Sequence, residues 1–319
     1  MFDSELEQFK KTINLMAYAA AEGYRLDRKK SCRSSAVMRH PESNDKIVIK
    51  RGLDGHYEWF SVRNNAGGTI IDFVQHLRRA GLGDVRKLLR PWIGKPPVAV
   101  PKFRALNKVE KDRSGVAARY DAMKDATGGH PYLEKERALP PSLFAHKRFA
   151  GRIRIDARGN AIFPHFDADG LCGYEMKNAG FTGFSTGGTK GLWLSIETFD
   201  DRRLVFCESA IDALSHAALF GEAQTRFASI SGNPNARQPA LIQAAIERLP
   251  LGSDVIAAMD ADEDGRRLAG VIEDSFKAAR RADLRFFAHE PTGFKDYNDQ
   301  LRDMPPTRHA PPMPAAEPR

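Results

Sequence analysis

Two short acidic motifs in the second half of the sequence have the residue types and spacing of a metal-dependent site. Glu208 and Asp212 stand four residues apart, and Asp260 and Asp262 form an Asp-x-Asp pair further along the chain. Magnesium prefers carboxylate oxygens, water and substrate phosphate as ligands, and two such ions can stabilise the attacking and leaving oxygens of a phosphoryl transfer. A carboxylate that is not a ligand can act as a general acid or base. The motifs therefore predict metal-dependent chemistry on a phosphate ester.

Each motif taken alone also has a simpler structural explanation. Aspartate and glutamate are common at helix N-caps and in first helical turns, where they interact favourably with the helix dipole. An isolated Asp-x-Asp in a loop is usually solvated surface. The two motifs together favour the functional interpretation, because they occur at the ends of two strands of one predicted sheet.

The elements that carry these motifs alternate between strand and helix. The sequence predicts strands at 203–207, 226–230, 254–259 and 284–287, and helices between them at 211–220, 239–249 and 266–281. This alternation indicates a parallel sheet with helices on both faces. Functional side chains of such sheets gather at the carboxyl ends of the strands. Because Glu208 and Asp260 each directly follow a strand, we expect the acidic residues to converge in one crevice.

The stretches Glu208-Ser-Ala-Ile-Asp212 and Asp260-Ala-Asp-Glu-Asp-Gly265 resemble the two motifs of the Toprim domain. Bacterial primases, type IA and type II topoisomerases and several nucleases share that domain. The resemblance implies that Glu208, Asp260 and Asp262 are the catalytic residues, with Glu208 as general acid or base. It also implies that Asp260 and Asp262 hold Mg²⁺ or Mn²⁺, with Glu208 as a further metal contact.

The resemblance is to the primase branch of this family in particular. That branch implies two more metal contacts, Asp212 and Asp296, the latter within Lys295-Asp-Tyr-Asn-Asp299. Two positions depart from the family pattern: Ser209 replaces the usual glycine, and Asn298 stands where a second acid is often found.

The first part of the chain resembles a zinc ribbon that has lost its metal ligands. The cysteine pair expected near residues 60–65 is missing, and Cys32, His40 and His56 match no standard spacing, so no zinc is expected. This resembles plasmid and mobile-element Toprim proteins with a degenerate ribbon. Basic residues such as Arg33 beside aromatic residues such as Trp59 suit single-stranded nucleic acid, through phosphate pairing and base stacking. Alternatively, Trp59 belongs to the core, since alternation buries one face of a strand.

The chain divides by composition into several segments, and its fold class is predicted as α/β. We expect a ribbon-like domain at 1–94, a linker at 95–114, a primase-like α+β subdomain at 115–200, a Toprim domain at 201–302 and a disordered tail at 303–319. An opening helix is predicted up to Glu22. The three cysteines form no Cys-x-x-Cys pair, which fits a reducing cytoplasm. No long apolar stretch predicts a membrane span.

The charge balance indicates either a polyanionic partner or simply a soluble basic protein, and charge alone does not choose between them. The formal net charge is +8 and the pI about 9.4, which is typical of nucleic-acid-binding proteins. By resemblance to primases, Lys177 and Lys190 are candidate nucleotide or template contacts, although either fits a solvated surface lysine, and Lys295 is a third candidate. Ser231-Gly232-Asn233 is either a turn or a loop whose amides face phosphate.

Three functions follow from these expectations. The first is a primase-like nucleotidyltransferase that joins ribonucleotides on single-stranded DNA, from nucleoside triphosphates, in plasmid or mobile-element replication or transfer. The second is a nuclease or nickase that uses the same acids. The third is a non-catalytic DNA-binding accessory, which the lost zinc ligands favour and the intact acids oppose. Replication or conjugation proteins are possible partners.

Overall fold

A computed structural model describes residues 4–33, 35–52, 55–63, 66–94, 110–221 and 223–304. The chain forms two compact units, Met1–Glu110 with Gly180–Thr182, and Lys111–Ala179 with Gly183–Arg319. Most of the predicted linker at 95–114, and the predicted tail from residue 305 onward, lie outside the described residues. Within the described ranges, no helix is long and apolar enough to span a membrane.

The first unit is built on an antiparallel sheet whose strands follow chain order, β1 to β5. Its described elements are helices α1 (Ser4–Thr12) and α2 (Leu15–Ala21), strands β1 (Arg25–Leu26), β2 (Ser35–Arg39), β3 (Lys46–Arg51), β4 (Tyr57–Ser61) and β5 (Gly67–Gly68), and helices α3 (Ile70–Arg78) and α4 (Leu82–Leu89). Helix α3 begins at a capping box, in which Thr69 and Asp72 satisfy each other's backbone donors.

The predicted opening helix is wrong in one respect, because the chain forms two helices instead of one. Asn14 interrupts the helical pattern and caps α2, its side-chain oxygen accepting a hydrogen bond from the backbone N–H of Ala17 at 3.1 Å. Asparagine favours such caps because its side chain competes with the helical backbone for hydrogen bonds.

The second unit contains an antiparallel sheet, in the order β10-β9-β8-β7-β6, that precedes a mostly parallel one. The first elements of this part, by chain order, are α5 (Arg113–Asp121), β6 (Lys124–Asp125), α6 (Pro131–Lys135), α7 (Pro141–Ala145), β7 (Arg154–Ile155), β8 (Ala161–Asp167), β9 (Gly170–Asn178) and β10 (Phe181–Phe184). The long pair β8–β9 runs from Ala161 opposite Lys177 to Asp167 opposite Gly170.

The second sheet of this unit has the order β11-β13-β12-β14-β15. Its strands and helices are β11 (Trp193–Leu194), β12 (Arg203–Cys207), α8 (Ala210–Phe220), β13 (Thr225–Ser229), α9 (Gln238–Glu247), β14 (Asp254–Ala258), α10 (Glu263–Ala279), β15 (Arg285–His289) and α11 (Tyr297–Asp303). Strands β12 to β15 are parallel, which confirms the predicted α/β class, and β11 adds an antiparallel edge.

Alternation along the buried strands explains why helices cover both faces of this sheet. On β12, Val205 and Cys207 pack into one cluster with residues of α8, whereas Leu204 and Phe206 pack into another with residues of α9 and α10. The strands are therefore apolar on both faces, as parallel strands require. The first cluster also includes Phe149 from the preceding segment, so the segments on either side of the predicted boundary at residue 200 share one core.

Candidate active site

The acidic residues leave the parallel sheet at its carboxyl edge. Strands β12 and β14 are neighbours, with Cys207 paired to Ala258 at their last residues. Glu208 follows β12 directly, and Asp260 comes two residues after β14 ends. The sheet register therefore brings these two carboxylates out at the same edge.

Asp212 reaches this edge from the first turn of α8. The helix is capped by Ser209, whose side chain accepts a hydrogen bond from the Asp212 backbone N–H and donates one to Asp212 Oδ2 at 2.6 Å. Asp212 is 8% exposed. The serine that replaces the family's usual glycine therefore starts the helix and orients the acidic side chain.

Asp262 and Asp296 are helix N-caps as well as members of the acidic group. Asp262 Oδ1 accepts a hydrogen bond from the N–H of Gly265 at 2.8 Å, and Asp296 Oδ1 accepts one from Asp299 at 2.7 Å. The other Asp262 oxygen lies 3.4 Å from Lys295 Nζ. Each cap uses one carboxylate oxygen of its residue, so capping and a second interaction are compatible at both positions.

Burial and the charges of neighbouring acids raise the pKa values of three of these residues, Glu208, Asp212 and Asp260. Burial, followed by the charges of Asp212 and Asp262, raises the pKa of Glu208 to about 7. Burial and the charges of Asp212 and Glu208 raise the pKa of Asp260. For Asp212, burial and Asp296 raise the pKa, while the hydrogen bond from Ser209 and the charge of Lys177 oppose the rise.

These surroundings fit a divalent cation. Asp260 Oδ1 is buried without a hydrogen-bond partner among the described residues, and the neighbouring carboxylates repel it. A cation would supply the missing partner and relieve the repulsion. Among the described residues, no three acidic, histidine or cysteine side chains already converge as a metal cluster. The residue types and charges of this group suit a cation. In this structure, the described side chains are not arranged around a common cation position.

Basic side chains stand beside the acids. Lys177 Nζ, from β9, lies 3.1 Å from Glu175 Oε1. Lys190 Nζ donates a hydrogen bond to the backbone carbonyl of Asn233 at 2.7 Å. Lys295 pairs with Asp262, as described above. All three predicted lysines therefore lie in the second unit with defined partners, and the charge of Lys177 also opposes the rise in the pKa of Asp212.

The loop after β13 also contacts the acidic edge. Ser231 and Gly232 have positive φ angles of 55° and 73°. The Gly232 N–H donates a hydrogen bond to the backbone carbonyl of Glu208 at 3.0 Å, and the loop's Asn233 accepts one from Arg267. The loop is thus fixed against the backbone that carries Glu208.

Sequence reasoning missed two buried polar residues at this site, His165 and Glu175. They are 0% and 8% exposed, and they lie on the paired strands β8 and β9. Their signal in the sequence is an ionisable residue within a strand, which does not reveal what the side chain faces.

In the first unit, the structure gives different outcomes for the two predicted nucleic-acid contacts, Arg33 and Trp59. Arg33 is exposed, and its role stays a prediction. Trp59 is 2% exposed, packs against Phe73 at 5.2 Å between ring centroids, and donates its indole N–H to the carbonyl of Thr69 at 3.1 Å. The stacking role predicted for Trp59 is therefore wrong, because the inward face of β4 and a satisfied N–H make it a core residue.

Comparison with known proteins finds two matching sequence families. Residues 131–201 match a family described as a protein of unknown function, DUF3991, and residues 205–301 match a family described as Toprim-like. No curated protein matches the chain.

Solved structures of primases are similar at low identity. The Aquifex aeolicus primase, comprising its zinc-binding and RNA polymerase domains, is 12% identical with a TM-score of 0.39, over 95% of this chain and 83% of that one. A primase domain from Pseudomonas aeruginosa is 14% identical with a TM-score of 0.38, over 60% and 74%. The primase fragment of the bacteriophage T7 primase-helicase is 15% identical with a TM-score of 0.34, over 51% and 66%.

The range that matches the Toprim-like family coincides with the parallel strands and their helices. The matched range begins within β12 and ends within α11, and it contains all five acids discussed above. Residues 205–301 therefore form a Toprim-like domain.

Proposed function

We propose that this protein is a primase-like nucleotidyltransferase that joins nucleotides on single-stranded DNA. The observation that carries the proposal is the group of five acids, at the carboxyl edge of a Toprim-like sheet, with lysines beside it. Plasmid or mobile-element replication or transfer, a cytoplasmic location, and replication or conjugation partners belong to the same proposal.

The acids and the lysines of the site would have different roles in such a reaction. Asp260 and Asp262, with Asp212 and Asp296, would hold Mg²⁺ or Mn²⁺, and the bound ion would neutralise phosphate charge and polarise the reacting oxygens. Lys177, Lys190 and Lys295 would bind phosphate as point charges.

Glu208 is the proposed proton acceptor. A pKa of about 7 allows a carboxyl to exchange a proton near neutral pH. As the 3′-oxygen of the growing strand bonds to the α-phosphorus of a nucleoside triphosphate, the bond to the leaving pyrophosphate breaks. The hydroxyl proton then passes to Glu208.

The test is a synthesis assay with the full chain, single-stranded DNA, labelled nucleoside triphosphates and Mg²⁺ or Mn²⁺. We expect short new oligonucleotides on a gel, and a loss of about 100-fold or more in Glu208→Gln, because a general base contributes roughly 10²–10⁴-fold. Glu273→Gln is the matched control, since Glu273 pairs only with Lys277 among the described residues, on the outside of α10.

Other outcomes select the alternative functions. Metal-dependent cleavage of the DNA without synthesis would replace the proposal with a nuclease or nickase, in which water attacks instead of a 3′-hydroxyl. Tight DNA binding with neither reaction would indicate an accessory protein. Equal synthesis by Glu208→Gln and the parent would remove Glu208 from the mechanism.

A further inference from the structure

A buried carboxylate, Glu175, lies behind the basic residues of the candidate site. It is 8% exposed, and its Oε1 is 3.1 Å from Lys177 Nζ, two residues along the same strand. Its Oε2 is buried with no hydrogen-bond partner among the described residues. An unpaired buried acceptor destabilises the fold, and burying a half-satisfied ion pair rarely adds stability. Stability therefore does not explain this residue.

Positive charge surrounds Glu175 on more than one side. Burial by itself raises the pKa of this carboxyl, but the positive charges of Lys177 and Lys190 hold the pKa below its usual value. Glu175 is therefore ionised at neutral pH and balances part of the charge of the two lysines.

Lys177 is also close enough to the acidic edge to act on it electrostatically. Its positive charge opposes the rise in the pKa of Asp212, while its ammonium contacts Glu175. A lysine carries its charge on a flexible four-carbon stem, and an unanchored ammonium would occupy several positions. The contact with Glu175 restricts that freedom.

A second buried contact fixes the adjoining strand to the Toprim-like domain. His165 Nδ1 lies 2.8 Å from the Gly191 carbonyl, and His165 Nε2 lies 3.1 Å from Ser231 Oγ. Since a carbonyl only accepts, Nδ1 carries the proton and the Ser231 hydroxyl donates to Nε2. Burial lowers the pKa of His165 to about 4, which keeps the ring neutral. Strands β8 and β9 are thus held rigidly against the loop that contacts Glu208.

We propose that Glu175 is a positioning residue that holds the Lys177 ammonium at the acidic edge, where it meets the triphosphate of the incoming nucleotide. The inference rests on the proposed function, which supplies the nucleoside triphosphate. Glu175 acts through Lys177, because its free oxygen is buried and out of reach of a ligand. Both residues belong to the matched segment of unknown function at 131–201, which on this proposal completes the nucleotide site.

The test measures ATP binding to the full chain by calorimetry with Mg²⁺ present, in Glu175→Gln, Lys177→Met and the double variant. Glutamine keeps the size of the side chain and removes its charge. We expect each single variant to weaken ATP binding by about fivefold to tenfold, and the double variant to weaken it no further, because residues that act as one unit are not additive. In the synthesis assay, KM for the nucleotide should rise in Glu175→Gln while kcat changes little.

Glu197→Gln is the matched control, since it removes a carboxylate from another pair of the same unit, 2.8 Å from the buried Arg226. It should leave ATP affinity unchanged. If Glu175→Gln does not fold, as judged by thermal melting, Glu175→Asp keeps the charge and lengthens the contact, and should give an intermediate loss.

Two results would overturn the inference: parental ATP affinity in a folded Glu175 variant, or losses that multiply in the double variant. Failure of the parent protein itself to bind ATP with Mg²⁺ would refute the proposed function instead, and the role of Glu175 would go with it. The first kind of failure appears in the Glu175 variants and the second in the parent protein, so the two can be distinguished.

Discussion

Asp260 stands in the least favourable surroundings of the acidic residues. Burial and the charges of Asp212 and Glu208 raise its pKa, and burial raises the pKa of Glu208 to about 7 from 4.5. A carboxyl whose folded pKa lies above its unfolded value stabilises the fold fully below the unfolded pKa, and this contribution is lost as pH rises through the folded pKa. The metal-free protein should therefore lose stability from about pH 4.5 to about pH 7, across the titration of Glu208, and the raised pKa of Asp260 extends this loss to higher pH.

At the residue scale, we predict that Asp260→Asn stabilises the metal-free protein at about pH 8. The amide removes the ionisable group, and with it the cost of keeping this carboxyl protonated above its unfolded pKa, without changing the size of the side chain. A gain of roughly 1–3 kcal/mol is expected, because one pKa unit corresponds to about 1.4 kcal/mol. Urea unfolding in a chelator at about pH 5.5 and about pH 8 measures it, and the gain should shrink at the lower pH. Asp274→Asn, at an exposed position of α10, should show no such gain. A less stable Asp260→Asn at pH 8 contradicts the assigned environment.

The acids also show what residue patterns determine and what they leave open. The sequence presented caps and metal contacts as alternatives, but Asp262 and Asp296 are caps with one oxygen and retain the other. The sequence likewise left two roles open for Trp59, base stacking and core packing. The alternation of side chains along β4 places it in the core. Glu175 had only a weak signal, because an ionisable residue in a strand does not reveal whether its side chain is buried or which charges surround it.

At the element scale, the turn from β14 into α10 depends on Gly265. A Cβ at this position would overlap the backbone carbonyl of Asp260, because the first turn of the helix packs against the loop that carries Asp260 and Asp262. Gly270, one turn further along the same helix, has no neighbouring atom within 4 Å of its Cβ position. The two glycines form a matched pair.

We predict that Gly265→Ala destabilises the protein by about 1–3 kcal/mol, as overpacking usually does, and lowers metal-dependent activity about tenfold or more by displacing Asp260. Gly270→Ala should be neutral or stabilising by up to about 1 kcal/mol, since alanine favours helix. Chemical unfolding and Mn²⁺ binding by calorimetry measure the two effects. Wild-type Mn²⁺ affinity in Gly265→Ala would show that this turn does not position the acids.

Elements with a strong local signal could be predicted from the sequence, and the others could not. Strand β12 occupies the predicted residues 203–207, because a continuous apolar run bounded by polar loops has few alternative structures. The edge strand Trp193–Leu194 was not predicted, since two residues carry no periodicity and its pairing with β13 is tertiary. The break between helices α1 and α2 depends on a single hydrogen bond accepted by the Asn14 side chain.

At the scale of the whole molecule, the net charge of +8 coexists with a strongly acidic site. Positive charge must therefore concentrate elsewhere, and a group of exposed basic residues in the first unit is one such place: Lys29, Lys30 and Arg33. Each phosphate neutralised on single-stranded DNA contributes about 0.7 to the slope of log affinity against log salt. A change in this slope when these residues are replaced therefore measures how many DNA phosphates they neutralise.

We predict that replacing these three residues with glutamine weakens single-stranded DNA binding and lowers the salt slope by about 1–2, while ATP binding in the second unit stays the same. Fluorescence anisotropy over a salt series measures the slope. The control replaces Lys10, Lys87 and Lys277, which pair with acids three or four residues away. It removes the same net charge, so an equal loss in both triple variants would mean that total charge, and not this surface, binds DNA. A loss confined to the first variant would assign the template contact to the first unit without any stacking by Trp59.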